Sequence, residues 1–159
     1  MKQIALNGKH GKGKFALVDD EDYEELMKYR WNVSSKGYAT RGKVEDGVYK
    51  MIRMHRVIMK AGTVLFVDHI NHNRLDNQKN NLRFCTHQEN SMNQKKRKNA
   101  TSKYKGVHWR KDIKKWRSRI TINMKRICLG TFDSEIKAAK AYNAKAKELF
   151  GEFAHLNKI

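Results

Sequence analysis

Apolar and polar residues alternate in short runs along this chain, and each run predicts an element. "KQIAL" and "GKFALV", split by glycine-rich residues, predict an N-terminal β-hairpin. "DDEDYEELMKYRW" predicts a helix entered through Asp19 or Asp20. Its acids crowd the start, where they favour the positive end of the helix dipole and are expected to cap it. "GYATRGK" and "VYKMIRMHRVIM" predict strands, the second passing into a short helix near His55. His55 stands alone among apolar residues, which predicts a structural role. Between Val64 and Asn93 the order is strand ("TVLFVDH"), long polar loop, strand ("NLRFCT") and helix ("HQENSMN"). The loop carries Asn71, Asn73, Asp76, Asn77, Asn80 and Asn81, which bond their own backbone and tolerate turns.

From Lys103 onward the pattern is cleaner. "YKGVHWR", "KWRSRITI" and "KRICLGTF" predict three strands, and "DSEIKAAKAYNAKAKELFG" predicts a helix. In the second strand Trp116, Ser118, Ile120 and Ile122 share one face, and Arg117, Arg119 and Thr121 the other. Asn123-Met124 supplies a tight turn into the third strand, where Arg126 and Cys128 oppose Ile127 and Leu129. The helix aligns Ile136, Ala139, Tyr142, Ala146 and Leu149 as its apolar face, with Asp133 or Ser134 as N-cap and Gly151 as its stop. The fold class is therefore α+β: two small modules, the second a three-stranded antiparallel sheet backed by one helix.

Charge sharpens this division. The chain has 159 residues and a net charge of +19. Residues 1–94 hold 16 basic and 11 acidic side chains, and residues 95–159 hold 19 and 5. Such a field attracts polyanions, and on a module this small it predicts double-stranded DNA as the partner of the arginine face. The polar, basic run "NQKKRKNATSK" reads as a linker. Three spans are expected: 1–94, with the chemistry at about 62–94; a linker at 95–102; and 103–159. No apolar run approaches the ~20 residues of a membrane span, and no signal-peptide core opens the chain. Cys85 and Cys128 are isolated, so neither a thiolate zinc site nor a disulfide framework is expected, consistent with an intracellular setting.

The polar stretch "VDHINHNRLDNQKNNLRFCTHQEN" has the parts for phosphodiester hydrolysis, which needs a base for water and a metal for the developing charge. Asp68 and His69 are adjacent in a strand and point to opposite faces. A neutral imidazole at His69 serves as base at slightly alkaline pH. Asp68 is a hard oxygen ligand suited to Mg2+, with Mn2+ as the second choice, and Asn90 in the following helix offers a carbonyl oxygen to the same ion. Asn81, just before the second strand, is placed to pin the loop by bonding backbone.

"DHINHNRLDNQKNNLRFCTHQENSMNQ" resembles the HNH endonuclease motif in its phage and intron homing form. The resemblance implies a ββα-metal motif with His69 as general base, Asn81 as the middle asparagine of the catalytic set, and Asp68 and Asn90 as metal ligands. Asn90 stands where many members have histidine. His87 is a weaker candidate ligand, and His72 reads as a surface or phosphate-contact residue. Ser102–Asn157 resembles the plant ethylene-response-factor (Apetala-type) DNA-binding domain through "YKGVHWR", "KWRSRI", "LGTFDSEIKAAKAYNAKA" and the closing "LN". That resemblance implies that His108, Arg110, Arg119, Thr121 and Arg126 face DNA, joined by Arg117 from the strand pattern. It also places Tyr104, Val107, Trp116, Leu129, Phe132, Ala139 and Tyr142 in the core. His108, Thr121 and Cys128 replace an arginine or tryptophan usual in plant members, so base preference does not carry over.

Together these readings predict a metal-dependent, homing-type DNA endonuclease, monomeric and cutting one strand to 5′-phosphate and 3′-hydroxyl ends. It would act in a bacterial or phage-infected cell. The rivals are a catalytically inert DNA-binding regulator and a nuclease for RNA or branched DNA.

Overall fold

A computed structural model describes residues 1–96 and 100–159. Residues 97–99 of the expected linker lie outside that description. The chain forms two compact units, Met1–Thr86 and His87–Ile159.

In the first unit, β1 (Lys2–Ala5) and β2 (Phe15–Val18) make the expected antiparallel hairpin. Helix α1 (Asp20–Met27) follows, shorter than the run that predicted it. A two-residue strand with no alternation to betray it, β3 (Asn32–Val33), then edges a sheet of order β3-β4-β5 with β4 (Ala39–Glu45) and β5 (Val48–Arg53). Helix α2 (Met54–Ile58) leads through a loop to β6 (Phe66–His69), which pairs antiparallel with β7 (Leu82–Cys85). One core binds these pieces. Ile4, Val18, Leu26, Trp31, Met54, Ile58 and Leu82 are all buried within it. The Trp31 indole N–H donates to the Leu26 carbonyl at 2.8 Å, so its burial leaves no donor unsatisfied.

The acids Asp20, Glu21 and Asp22 crowd the first turn of α1 as expected, but the expected side-chain cap is absent. Asp19 occupies the N-cap position, but its side chain makes no cap hydrogen bond. The carboxylate reaches instead to the far loop, accepting from Gln78 Nε2 at 3.1 Å and from the Lys79 backbone N–H at 2.7 Å. A fixed backbone donor outside the helix outcompetes the helix's own solvated N–H groups. Lys79 also pairs with Glu21 and Asp22.

The second unit opens with α3 (His87–Asn93) and continues with β8 (Val107–Arg110), β9 (Lys115–Ile122) and β10 (Lys125–Phe132) in the order β10-β9-β8. Helix α4 (Glu135–Phe150) covers one face of this sheet. Asn123 and Met124 both have positive φ (50° and 59°), the backbone a tight hairpin turn requires. Ser134 is the N-cap of α4 and Gly151 its C-cap. The buried stripe of the helix is Ala138, Ala139, Tyr142, Ala146 and Phe150. Ile136, expected inside, is 47% exposed, because it lies on the first turn to one side of that stripe. Met92 of α3 and Leu129 pack against the cluster of Ile120, Tyr142, Ala146 and Phe150. Trp116 and Phe132 pack against Tyr104, Val107, Ala138 and Ala139.

Gly106 explains how closely helix and sheet approach. It has φ +78°, and a Cβ placed there would lie 2.0 Å from the Tyr142 ring. Asn157 closes the unit near the chain end. Its Oδ1 accepts from the Lys105 N–H at 2.6 Å, and its own N–H donates to Asn143 Oδ1 at 2.7 Å.

Candidate active site and nucleic-acid interface

The β6–β7 register sets Asp68 opposite Arg83 and His69 opposite Leu82, so the two neighbours point to opposite faces. Asp68 accepts a charge-assisted bond from Arg83 Nη2 at 3.2 Å. His69 turns inward and is buried. Its ring meets the ring of His55 at 4.9 Å, nearly perpendicular, and that of Tyr38 at 5.9 Å. The sequence separates these three residues widely and carries no sign that they meet. Burial is the main force lowering the His69 pKa; the contact with Asn77 and the charges of Asp68 and Asp76 oppose it. Burial, then the charges of His69, Arg53 and Arg56, depresses His55 to about 3, so His55 stays neutral and acts as packing against His69.

The long polar loop is tightly held. The Leu17 N–H donates to Leu75 O at 2.8 Å and the Asn77 N–H to Leu17 O at 2.8 Å, so the loop joins the edge of β2 for a moment. Asn81 is buried in a single helical turn (Lys79–Asn81) before β7. Its Oδ1 accepts from the Asn71 N–H at 3.0 Å, and its Nδ2 donates to the Asp76 carbonyl at 2.8 Å. One amide thereby ties both ends of the loop. Asn77 is fully buried, with Oδ1 3.3 Å from His69 Nε2. Sequence reasoning counted Asn77 only as a turn residue. His72 sits in a turn of the same loop with φ +63°. Two guanidiniums, Arg53 and Arg74, lie over the Tyr38 ring at 5.5 and 4.6 Å and make this side of the unit electropositive.

Asn90 lies on α3 and is half-buried, with His87 at the helix start. Among the described residues, no three His, Cys, Asp or Glu side chains converge as a metal cluster. Of the two expected ligands, Asp68 belongs to the first unit and Asn90 to the second.

In the second unit, the β-register gathers the expected DNA-facing residues on one side. His108 pairs with Arg117, Arg110 with Lys115, Arg119 with Cys128, and Thr121 with Arg126. Paired residues share a face, so His108, Arg110, Arg117, Arg119, Thr121 and Arg126 stand together opposite α4. Burial and the surrounding charges of Arg119, Arg117, Arg110 and Arg126 lower the His108 pKa, which keeps it neutral amid the cations. Arg110 is paired with Asp112, its Nε donating at 2.7 Å.

Comparison with known proteins agrees with both halves of this picture. Residues 38–92 match the HNH endonuclease family, and residues 102–152 match the AP2 domain. The chain is 37% identical to an uncharacterized HNH endonuclease of Acanthamoeba polyphaga mimivirus, over 94% of this chain and 78% of that protein. It is 34% identical to protein 3.8 of Escherichia phage T7, over 67% of this chain and 91% of that one. It is also 44% identical to the dehydration-responsive element-binding protein 2D of Arabidopsis thaliana, over 37% of this chain and 29% of that protein. No solved structure matches. No helix among the described residues is long and apolar enough to cross a membrane. With the nuclease motif and the arginine-faced sheet both matched, the chain belongs to the HNH endonucleases, hydrolases that act on DNA, and carries a C-terminal AP2 DNA-binding domain.

Proposed function

We propose that this protein is a homing-type endonuclease that nicks double-stranded DNA, with 1–94 as its nuclease module, 95–102 as linker and 103–159 as recognition module. The observation that carries the reading is His69, buried at the end of β6 beside Asp68 and followed by a loop whose every turn is tied down. A base held this rigidly meets the positioning that general-base catalysis demands.

In mechanism, His69 takes a proton from water, and the oxygen so activated attacks phosphorus in line. The lowered pKa keeps the imidazole neutral and able to accept that proton. Asn81 acts at one remove, holding the loop that follows the base. HNH nucleases typically use a divalent metal. The donor chemistry here fits one: the Asp68 carboxylate and the Asn90 amide are hard oxygens, suited to Mg2+ and, after it, Mn2+. A divalent ion held there would supply a Lewis acid for the negative charge that develops on the phosphate and on the leaving 3′ oxygen. Products then carry 5′-phosphate and 3′-hydroxyl ends.

His108, Arg110, Arg117, Arg119, Thr121 and Arg126 would enter the major groove on their sheet and contact guanine edges and phosphates. Relatives in a phage and a mimivirus fit action inside an infected cell. The test is incubation of the protein with supercoiled plasmid, with and without magnesium, beside a gel-shift assay. Magnesium-dependent open circles support the reading. Retarded DNA that is never cut would make the protein a binding regulator.

A further inference from the structure

Asn77 is fully buried, and three of its polar groups each have a fixed partner. Its backbone N–H donates to Leu17 O at 2.8 Å, its Nδ2 donates to Leu75 O at 3.1 Å, and its Oδ1 lies 3.3 Å from His69 Nε2. The Leu75 bond decides which way the amide faces. Turned over, Asn77 would set its oxygen against the Leu75 carbonyl oxygen, two acceptors with no proton between them. Oδ1 therefore faces His69, and an amide oxygen only accepts. The proton in that contact has to come from Nε2.

We propose that Asn77 is a positioning residue that holds neutral His69 in the tautomer with its proton on Nε2, making Nδ1 the atom that takes the proton from the attacking water. The proposal rests on His69 being the base, as proposed above. The Nδ1 lone pair forms the new N–H bond, and the O–H pair of water stays on oxygen. That oxygen bonds to phosphorus as the bond to the 3′ oxygen breaks. The ring becomes an imidazolium whose Nε2–H still donates to Asn77, so nothing around it has to reorganise. His55, 82° to the ring at 4.9 Å, and Tyr38 at 5.9 Å hold its plane. A neutral amide suits the task, since it fixes the tautomer without placing a second carboxylate beside Asp68.

The experiment is a ring-nitrogen NMR spectrum of the full chain, labelled at histidine, at about pH 8, where an imidazole is neutral. The expected spectrum shows His69 with Nε2 protonated and Nδ1 carrying the lone pair. A proton on Nδ1 in the unaltered protein overturns the inference with no variant needed. Asn77→Leu removes the acceptor at similar volume. It should release the tautomer and lower single-turnover cleavage by roughly 10²–10⁴, with gel-shift Kd within twofold. Asn77→Asp restores an acceptor and should recover both the tautomer and cleavage to within tenfold. A leucine variant with the tautomer and rate unchanged, or an aspartate variant no better than leucine, overturns it as well. Should the leucine variant fail to fold, the unaltered protein and Asn77→Asp still decide. His69→Ala separates the two readings: undiminished cleavage there removes the base, whereas the tautomer is judged on the spectrum alone.

Discussion

The carboxylate of Asp19 accepts a hydrogen bond from the backbone N–H of Lys79 at 2.7 Å, sixty residues further along the chain. With Gln78 Nε2 on its other oxygen, it anchors the turn from which Asn81 ties the loop after His69. Bonds to a charged acceptor contribute about 1.5–3 kcal/mol each when well made. Asp19→Ala should therefore lower the stability of the first unit by roughly 1–3 kcal/mol, read by urea unfolding. Cleavage should fall further than stability accounts for, because the loop loses its register. Equal stability and equal cleavage in the variant would show that the anchor does nothing.

Asp19 also marks where sequence reading stops. Alternation exposed β9 and β10 of the second unit, since a half-buried strand must repeat every second residue. The adjacency of Asp68 and His69, and the spacing to Asn81 and Asn90, drew the eye to the site for a chemical reason. An acid at a helix start reads as a cap, and nothing local says that its partner lies sixty residues away. Asn77 hid in the same way, among asparagines that all suit turns. The contact of His55 with His69 depends on how α2 packs beside β6, which no single run of residues encodes. Ile136 failed for a smaller reason: helical spacing names a stripe, but packing chooses its edge.

Replacing the base should separate chemistry from binding. His69→Ala is expected to lose about 10²–10⁴ in cleavage rate and to bind DNA as before. The pH dependence has a definite sign. The base acts when neutral, and burial lowers its pKa, so kcat/KM should rise with pH through a midpoint below the ordinary histidine value of about 6.5. A midpoint above that value would mean that the ring is charged and exposed in the working enzyme. Residual cleavage within tenfold in His69→Ala would remove it from the mechanism.

Gly106 should tolerate no side chain. At φ +78°, with the Tyr142 ring 2.0 Å from where a Cβ would stand and the Arg119 carbonyl at 2.8 Å, neither the backbone nor its neighbours can yield cheaply. Backbone strain and overpacking each cost about 1–3 kcal/mol. Gly106→Ala should lower the melting temperature of the second unit and weaken DNA binding in proportion to the unfolded fraction. Gly13→Ala, where nothing lies within 4 Å of the new Cβ, is the comparison for φ alone. A Gly106→Ala protein that melts with the unaltered one would sink the close-packing account.

Binding through an arginine-bearing sheet predicts a salt dependence that can be counted. Each phosphate contact contributes about −0.9 to the slope of log K against log salt, so about five contacts give a slope near −4.5. Removing Arg119 or Arg126 should change the slope by about 0.9 if that residue meets a phosphate. It should leave the slope alone and relax sequence preference if it meets a base edge. Titration of a fluorescent duplex at several salt concentrations reads both. A slope near zero would take the sheet out of DNA recognition.

One Asp-His-Asn-Asn set occurs in the chain, and the sequence holds no second copy of it. One such centre faces one phosphate at a time, and the two strands of a duplex run in opposite directions. Cutting both calls for a second centre, which a symmetric partner usually provides. The net charge of +19 opposes close self-association in the absence of DNA. A single arginine-faced sheet also suits an asymmetric target better than a palindrome, since a two-fold site asks for two such sheets. The expected protein is a monomer that nicks one strand. Light scattering should give the mass of one chain, and a plasmid time course should accumulate open circles well before any linear form. Linear DNA from the earliest time points, or a stable dimer in solution, would mean that two chains share the work.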